Sequence, residues 1–259
     1  MSYDLTGKIV LVTGASSGIG EACARAFAAA GAKLILAARR MKRLQALAAE
    51  LKAPTYLIEL DVRDQPAVKR AIDGLPAEWQ AVDILLNNAG LSRALTRLHQ
   101  YDISDIDEMV DTNVKGLLYV TRAVAPGMVA RQRGHIINIG SIAGHATYPN
   151  GAVYCATKAA VKSISEGLKL DLNGTPVRVS SVDPGLVETE FSIVRFHGDK
   201  ARADQVYDGM RPLTGADVAD VVLFCATRPP HVNINDVVMM PVAQSSTGLV
   251  YRQPLPGVS

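Results

Sequence analysis

Residues 8–20 read KIVLVTGASSGIG, an apolar run that passes directly into a glycine-rich turn. An alanine-rich stretch from Glu21 to Ala30 follows, and Gly31 comes directly after it. A continuous apolar run is typical of a strand buried on both faces, whereas glycines permit a tight turn and alanines favour a helix. This segment therefore predicts a buried strand, a tight turn and a helix in close succession.

The same alternation of strand and helix continues along the chain. The predicted strands are Lys8–Val12, Lys33–Ala38, Tyr56–Leu60, Val82–Leu86, His135–Ile139, Val177–Val182 and, as a seventh, Val237–Met240. The predicted helices are Glu21–Ala30, Met41–Leu51, Pro66–Ile72, Asp105–Arg131 and Ala152–Leu172. Pro126 and Gly127 are expected to disturb the last part of the fourth helix. The pattern predicts an α/β fold, a doubly wound parallel sheet of the Rossmann type with helices on both faces.

Composition narrows the class of protein. No flexible linker divides the 259 residues, so we expect residues 1–259 to form one domain. A net charge of +2 gives no electrostatic case for nucleic acid, and no apolar run approaches the roughly 20 residues that span a bilayer. Three separated cysteines are typical of a reduced, cytoplasmic protein, and the five histidines lack the spacing of a metal site.

The turn at residues 13–20 has the spacing T-G-x-x-x-G-x-G. Glycines there let the backbone approach a phosphate closely, and the first amides of the next helix favour negative charge. A purely structural turn is the alternative interpretation. We predict that a dinucleotide binds at Gly14, Ala15, Ser16, Ser17, Gly18, Ile19 and Gly20.

The end of the second predicted strand indicates which dinucleotide binds. An acidic residue at this point would hold the ribose 2′-hydroxyl of NAD, but this chain has Arg39 and Arg40 there. Two guanidinium groups suit a 2′-phosphate, which predicts NADP as the cofactor. The alternative is a solvated basic start to the next helix.

Polar residues also follow the third and fourth predicted strands. Asp61 could accept a hydrogen bond from the adenine amino group, or it could cap the next helix. Asn88 could contact a ribose, or belong to a plain turn. The further residues expected to contact the cofactor are Val62, Tyr154, Lys158, Pro184, Gly185 and Val187.

Four residues are candidates for the chemistry. Tyr154 and Lys158 are four apart on a predicted helix and so share one face. Ser141 follows the fifth strand, and Asn113 lies in the helix after the fourth. Each has an ordinary structural explanation when taken singly, but together with the glycine turn they favour catalysis.

The order and spacing of these motifs resemble the short-chain dehydrogenase/reductase family over nearly the whole chain. The shared motifs are the glycine turn, N-N-A-G at residues 87–90, Ser141, Y-x-x-x-K at Tyr154 and Lys158, and Pro184-Gly185. Within the family the chain is similar to the NADP-dependent 3-hydroxy acid (serine) dehydrogenases. The stretches that carry this finer likeness are residues 75–79, 134–141, 194–199 and 231–235. One departure is Ser17, where many NADP-using relatives have a basic residue, so Arg39 and Arg40 would have to bind the phosphate.

The resemblance implies a role for each of the four residues. Tyr154 would donate and accept the proton of the substrate oxygen, and Ser141 would hydrogen-bond that oxygen. Lys158 would bind the nicotinamide ribose and, with the positive nicotinamide of the oxidised cofactor, lower the pKa of Tyr154. Asn113 would hold a water linking Lys158 to solvent.

A small hydroxy acid carries a carboxylate, which requires a cation or several hydrogen-bond donors. Residues 186–207 are long and poorly periodic, and we expect them to form a lid over the substrate. Arg195 in the lid, Arg93 and Tyr148 are the candidates for binding the carboxylate, although each arginine could be a surface charge. The apolar helix from Ala152, with the usual assembly of the family, predicts a homo-oligomer, in particular a tetramer.

The sequence is also compatible with two other functions. One is an NADPH-dependent reductase of other ketones or aldehydes on the same fold. The other is a nucleotide-binding sensor that has lost catalysis, although both Tyr154 and Lys158 are present.

Overall fold

Seven strands form one sheet within residues 4–253 and 255–257, the part of the chain that the computed structural model describes. They are β1 (Ile9–Thr13), β2 (Lys33–Ala38), β3 (Thr55–Glu59), β4 (Ile84–Asn87), β5 (Gly134–Ile139), β6 (Val177–Pro184) and β7 (Asp236–Met239). Neighbouring strands pair in parallel, in the order β3-β2-β1-β4-β5-β6-β7. The predicted doubly wound parallel sheet is confirmed, with each strand within about two residues of its expected bounds.

Helices connect these strands. They are α1 (Gly18–Ala29), α2 (Met41–Glu50), α3 (Gln65–Asp73), α4 (Ile103–Val110), α5 (Leu117–Ala130), α6 (Ala152–Asp171), α7 (Phe191–Arg195), α8 (Lys200–Gln205) and α9 (Gly215–Ala226). α9, which sequence reasoning missed, begins with a capping box between Thr214 and Asp217. Within the described residues, no helix is both long enough and apolar enough to cross a bilayer.

The sheet is covered on both faces because its strand residues alternate between two cores. Val10 and Val12 of β1 pack in one core with Phe27 of α1, on the side that also holds α9. Ile9 and Leu11 point to the other core, which includes side chains of α3 and α5. Successive strand side chains face opposite sides, so an uninterrupted apolar strand requires helices on both.

The helix predicted over residues 105–131 has an interruption in a different place from the one expected. The chain is α-helical in α4, π-helical from Asp111 to Gly116, and α-helical again in α5. Pro126 lies inside α5, and the helix continues past it to Ala130. The expected disturbance at Pro126 and Gly127 is therefore wrong, and the wider turn surrounds Asn113 instead.

The position of the cleft follows from the strand order. The chain proceeds from β1 through β2 to β3 on one side of the sheet and then returns to place β4 on the other side of β1. Connections that leave a sheet in opposite directions open a crevice at the carboxyl ends of the two strands. The glycine turn follows β1 and the N-N-A-G turn follows β4, so both lie at this crevice.

Candidate active site

A cleft with a volume of about 560 Å³ opens at the carboxyl ends of the strands. All the predicted site residues line this cleft except Ala15, Gly20, Arg93 and Asn113. Ala15 is instead fully buried in the core beside α1, and a side chain at Gly20 would overlap the Asn88 amide. These two residues therefore support the turn by packing behind it.

Two glycines give the turn after β1 a backbone conformation that other residues rarely adopt. Gly14 has a φ of +66° and Gly18 a φ of +57°, in the left-handed region that glycine adopts without strain. Ser17 precedes α1, but its side chain does not cap the helix. The first amides of α1 therefore face the cleft without a side-chain cap, and the helix dipole favours an anion there.

Arg40 lies against this turn. Its Nε donates to Ser16 Oγ at 3.1 Å and its Nη2 to Ser17 Oγ at 2.6 Å, while Nη1 is 2.9 Å from Glu190 Oε2. Arg39 is more exposed, with its Nη1 3.8 Å from Glu108 Oε1. Both guanidinium groups line the cleft, a donor set that fits a 2′-phosphate.

Asp61 and Asn88 have contacts that the sequence left open. Asp64, and not Asp61, caps α3 by accepting from the Ala67 amide, so the capping alternative is wrong. Asp61 pairs with Arg63 at 2.6 Å, and this hydrogen bond lowers the pKa of its carboxyl. Asn88 Nδ2 donates to the Thr13 carbonyl at 2.9 Å, which ties the two turns together. Their contacts with adenine and ribose stay predictions.

Three of the four candidates for the chemistry meet at the floor of the cleft. Tyr154, Lys158 and Ser141 are each at most 9% exposed. Ser141 Oγ accepts from the Ala143 amide at 3.1 Å and donates to the Pro184 carbonyl at 3.4 Å, and it lies close enough to Tyr154 to lower the pKa of the phenol. Lys158 Nζ donates to the Ile139 carbonyl at 2.8 Å. The i, i+4 spacing on α6 and the end of β5 therefore place a hydroxyl, a phenol and an amine in one buried site.

The pKa of Tyr154 differs from the expectation. Burial raises it above its usual value of about 10, and the Arg195 guanidinium and the Ser141 hydrogen bond lower it only in part. Burial also lowers the pKa of Lys158 to about 8, against the opposing effect of the Asp183 carboxylate. The predicted lowering of the Tyr154 pKa by Lys158 is therefore not found among the protein's own groups, and the cation that acts most strongly on the phenol is Arg195.

Asn113 lies beside this site and is 2% exposed. Its Nδ2 donates to the Leu91 carbonyl at 2.8 Å and to Thr157 Oγ1 at 3.0 Å, and its Oδ1 accepts from the Leu91 amide. Its side chain therefore holds the turn after β4 against α6. Its water-holding role stays a prediction.

The three residues proposed for the substrate carboxylate separate into two groups. Arg195 lines the cleft with its Cζ 5.4 Å from the centre of the Tyr154 ring, and its Nη2 donates to the Tyr148 hydroxyl at 3.4 Å. Arg93 lies outside, where it pairs with Glu108 at 2.6 Å and donates to the Val194 carbonyl. Arg93 therefore supports α7 from outside the cleft, and nothing in this arrangement favours its predicted contact with substrate.

Arg195 is unusual because it is buried without a counter-charge. It is 8% exposed, its Nε is buried with no hydrogen-bond partner, and it forms no ion pair with any described carboxylate. Burying an unpaired charge costs several kcal/mol, and the only described groups facing this cation closely are the Tyr148 hydroxyl and the Tyr154 and Phe191 rings, so it is free to pair with an anionic ligand.

A cluster that sequence reasoning missed lies against Gly140, at the end of β5. His145, Asp183 and Asp236 bring one nitrogen and two carboxylate oxygens within 4.8 Å of one another, from three distant parts of the chain. Burial and the Asp183 carboxylate raise the pKa of Asp236 to about 6. A side chain at Gly140 would overlap Asp183, so this position also requires glycine. Histidine spacing could not reveal a cluster that only the fold assembles.

Lys158→Met is expected to raise the free energy of unfolding at pH 7 by about 2–3 kcal/mol, measured without cofactor. The lysine is protonated in both states below pH 8, so the folded state bears the cost of a buried ammonium. Between pH 8 and 10.5 only the unfolded state keeps the proton, so this cost falls as the pH rises. The gain should therefore shrink to about 1 kcal/mol at pH 10 in urea unfolding.

The control is Lys162→Met, one turn further along α6, where the lysine pairs with Glu166 at the surface. It should give no gain at either pH. A gain for Lys158→Met that is the same at pH 7 and pH 10 would contradict the assigned pKa.

The profile of the short chain dehydrogenase family matches residues 8–199. The chain belongs to the short chain dehydrogenase family. It is 52% identical over 242 residues to an NADP-dependent 3-hydroxy acid dehydrogenase of Salmonella typhi, covering 93% of this chain and 98% of that one. It is 43% identical to a serine 3-dehydrogenase of Rhizobium radiobacter, covering 94% and 98%. A closed form of serine dehydrogenase complexed with NADP+ shares 51% identity and a TM-score of 0.91, covering 95% of this chain and 100% of that one.

Proposed function

We propose that this protein is an NADP-dependent oxidoreductase that transfers hydride between the nicotinamide and a small 3-hydroxy acid or the corresponding semialdehyde. The observation that carries the proposal is the buried, unpaired guanidinium of Arg195 beside Tyr154. A carboxylate on the substrate would neutralise this cation, and a neutral ketone would not. The activities for which the Salmonella and Rhizobium relatives are named agree with this substrate class.

The choice of cofactor rests on the end of β2. Arg39 and Arg40 line the cleft there, and Ser16 and Ser17 hold the Arg40 guanidinium against the glycine turn. These donors would hold the 2′-phosphate, and the first amides of α1 would hold the pyrophosphate.

When bound, NADP supplies or accepts the hydride at its nicotinamide. The chain handles the proton: the Tyr154 hydroxyl gives it to the substrate oxygen in reduction and takes it back in oxidation. Ser141 donates a hydrogen bond to the same oxygen and stabilises its developing charge. Lys158, with a pKa of about 8, is protonated at neutral pH and would bind the nicotinamide ribose. The Arg195 guanidinium is the cation that lowers the pKa of the Tyr154 phenol and so favours its phenolate form.

Arg195 and Tyr148 would orient the substrate from the opposite side. The Tyr148 hydroxyl accepts a hydrogen bond from Arg195, so both groups can face one carboxylate. A carboxylate held there fixes the distance from the acid group to the reacting carbon, which favours small hydroxy acids. Residues 186–207, which carry Arg195, would close over the substrate as a lid.

The protein would act as a cytoplasmic homotetramer. In support, its three cysteines are unpaired and buried. Apolar side chains after β6 are exposed, among them Val238 and Val242, and Leu170 of α6 is 76% exposed. Contact with further subunits would cover such surfaces.

A panel of substrates, followed through the absorbance of NADPH, tests the proposal. We expect oxidation of serine and 3-hydroxypropionate with NADP, and much weaker activity with NAD at the same concentration. Activity on neutral ketones without activity on hydroxy acids would overturn the substrate class. Equal use of NAD would overturn the cofactor assignment.

A further inference from the structure

The carboxylate of Glu190 lies in the cleft lining beside Arg40 and bridges Arg40 and Arg43. Its Oε2 is 2.9 Å from Arg40 Nη1, and its Oε1 is 2.6 Å from Arg43 Nη1. Both arginines are at or near the start of α2, 150 and 147 residues away in the chain. A carboxylate that pairs with two guanidinium groups at short distance forms a charge network. Such a network contributes more to stability than an isolated ion pair at the surface.

This network is attached to the element that would bind the substrate. Glu190 directly precedes α7, a helix of five residues that begins with Phe191 and ends with Arg195. The Phe191 ring lies 5.6 Å from the Tyr154 ring and 5.0 Å from the Arg195 guanidinium. Such a short helix has little stability of its own, so its orientation depends on what holds its ends.

The other end of the network reaches the cofactor turn. The guanidinium that contacts Glu190 also donates to Ser16 and Ser17. A chain of hydrogen bonds therefore runs from the glycine turn, through Arg40 and Glu190, to the start of α7. At its other end α7 is held by the Arg93 contact with the Val194 carbonyl.

We propose that Glu190 is a positioning residue: its ion pairs with Arg40 and Arg43 hold α7 in the orientation that places Arg195 beside Tyr154. The inference rests on the proposed function in one respect, that Arg195 binds the substrate carboxylate. Without the ion pairs, α7 would occupy the binding-competent orientation for a smaller fraction of the time. The apparent affinity for substrate falls by that fraction, whereas the reaction of the bound substrate is unchanged.

The test is a double-mutant cycle at saturating NADP. Glu190→Ala should raise the KM for a hydroxy acid about tenfold, and Arg43→Ala about threefold, with kcat within twofold of wild type. The double variant should be no worse than Glu190→Ala, because Arg43 acts only through that carboxylate. Glu188→Ala, an exposed residue two positions earlier, is the matched control and should leave KM unchanged.

Hydrogen exchange without cofactor gives a second measurement that needs no activity. Backbone amides of residues 191–205 should exchange faster in Glu190→Ala and Arg43→Ala than in wild type or Glu188→Ala. Unchanged exchange there, or effects on KM that multiply in the double variant, would overturn the proposal. A Glu190→Ala variant that weakens NADP binding as much as substrate binding would also overturn it, since the residue would then act on the cofactor.

This design separates the two proposals. If wild type fails to oxidise any hydroxy acid, the proposed function is wrong, and the exchange measurement alone decides the role of Glu190. If wild type is active and exchange is unaffected in both variants, only the inference about Glu190 is wrong.

Discussion

Tyr154→Phe is expected to lower kcat by about 10²- to 10⁴-fold in both directions, the usual contribution of a general acid or base. The substitution removes the hydroxyl beside Ser141 and leaves the ring that packs edge-on against Phe191. Since the buried phenol has a raised pKa, it retains its proton at neutral pH and is well suited to donate it in reduction. The variant should fold and bind NADP as wild type does.

Steady-state assays of oxidation and of reduction would measure kcat in each direction, and calorimetry would measure the affinity for NADP. Tyr119→Phe in α5 is the matched control, because Tyr119 lies away from the cleft lining. Near-normal turnover by Tyr154→Phe would exclude the phenol as the proton donor and acceptor.

Arg195→Gln should have the second large effect, and the effect should depend on the substrate. Hydrogen bonds to charged groups contribute roughly 1.5–3 kcal/mol, so kcat/KM for reduction of a semialdehyde that carries a carboxylate should fall by roughly 10- to 100-fold. Reduction of a neutral aldehyde should change by less than about threefold, because that substrate has no charge for Arg195 to bind.

The same variant should change the pH dependence of oxidation. The Arg195 guanidinium lowers the pKa of Tyr154, so removing it raises that pKa further. Oxidation requires the phenolate, and its rate should therefore rise at a higher pH than in wild type. Arg93→Gln is the control, since Arg93 faces Glu108 and the back of α7. If Arg93→Gln discriminates between the two aldehydes and Arg195→Gln does not, the substrate site has been assigned to the wrong arginine.

The sheet could be predicted because its signals are local. An apolar run such as Lys33–Ala38 reports burial on both faces, whichever strands lie beside it. The capping box of α9 is also a local signal, because the Thr214-x-x-Asp217 spacing before an apolar stretch can be recognised in the sequence. The π-helical turn around Asn113 had no such signal, because it depends on packing against α6 and the turn after β4.

The candidate site likewise contains residues whose positions could be predicted from local patterns and others whose roles depend on the fold. Tyr154, Lys158 and Ser141 meet as predicted because helix periodicity and the common edge of a parallel sheet fix their positions. Arg93 and Arg195 could not be distinguished, since only the fold shows which one has a carboxylate partner. The pKa of Tyr154 could not be predicted either, because it depends on how deeply the ring is buried and on the nearby guanidinium of Arg195 in α7.

The close approach of Gly140 to Asp183 limits how the floor of the cleft can be redesigned. A Cβ at position 140 would overlap the Asp183 carboxylate and lie 3.0 Å from Ser181 Oγ, so a larger residue at position 140 needs a smaller or displaced side chain at position 183. Libraries that vary one position at a time leave this overlap in place. Randomising both together gives access to altered pocket floors that single-site screening cannot reach.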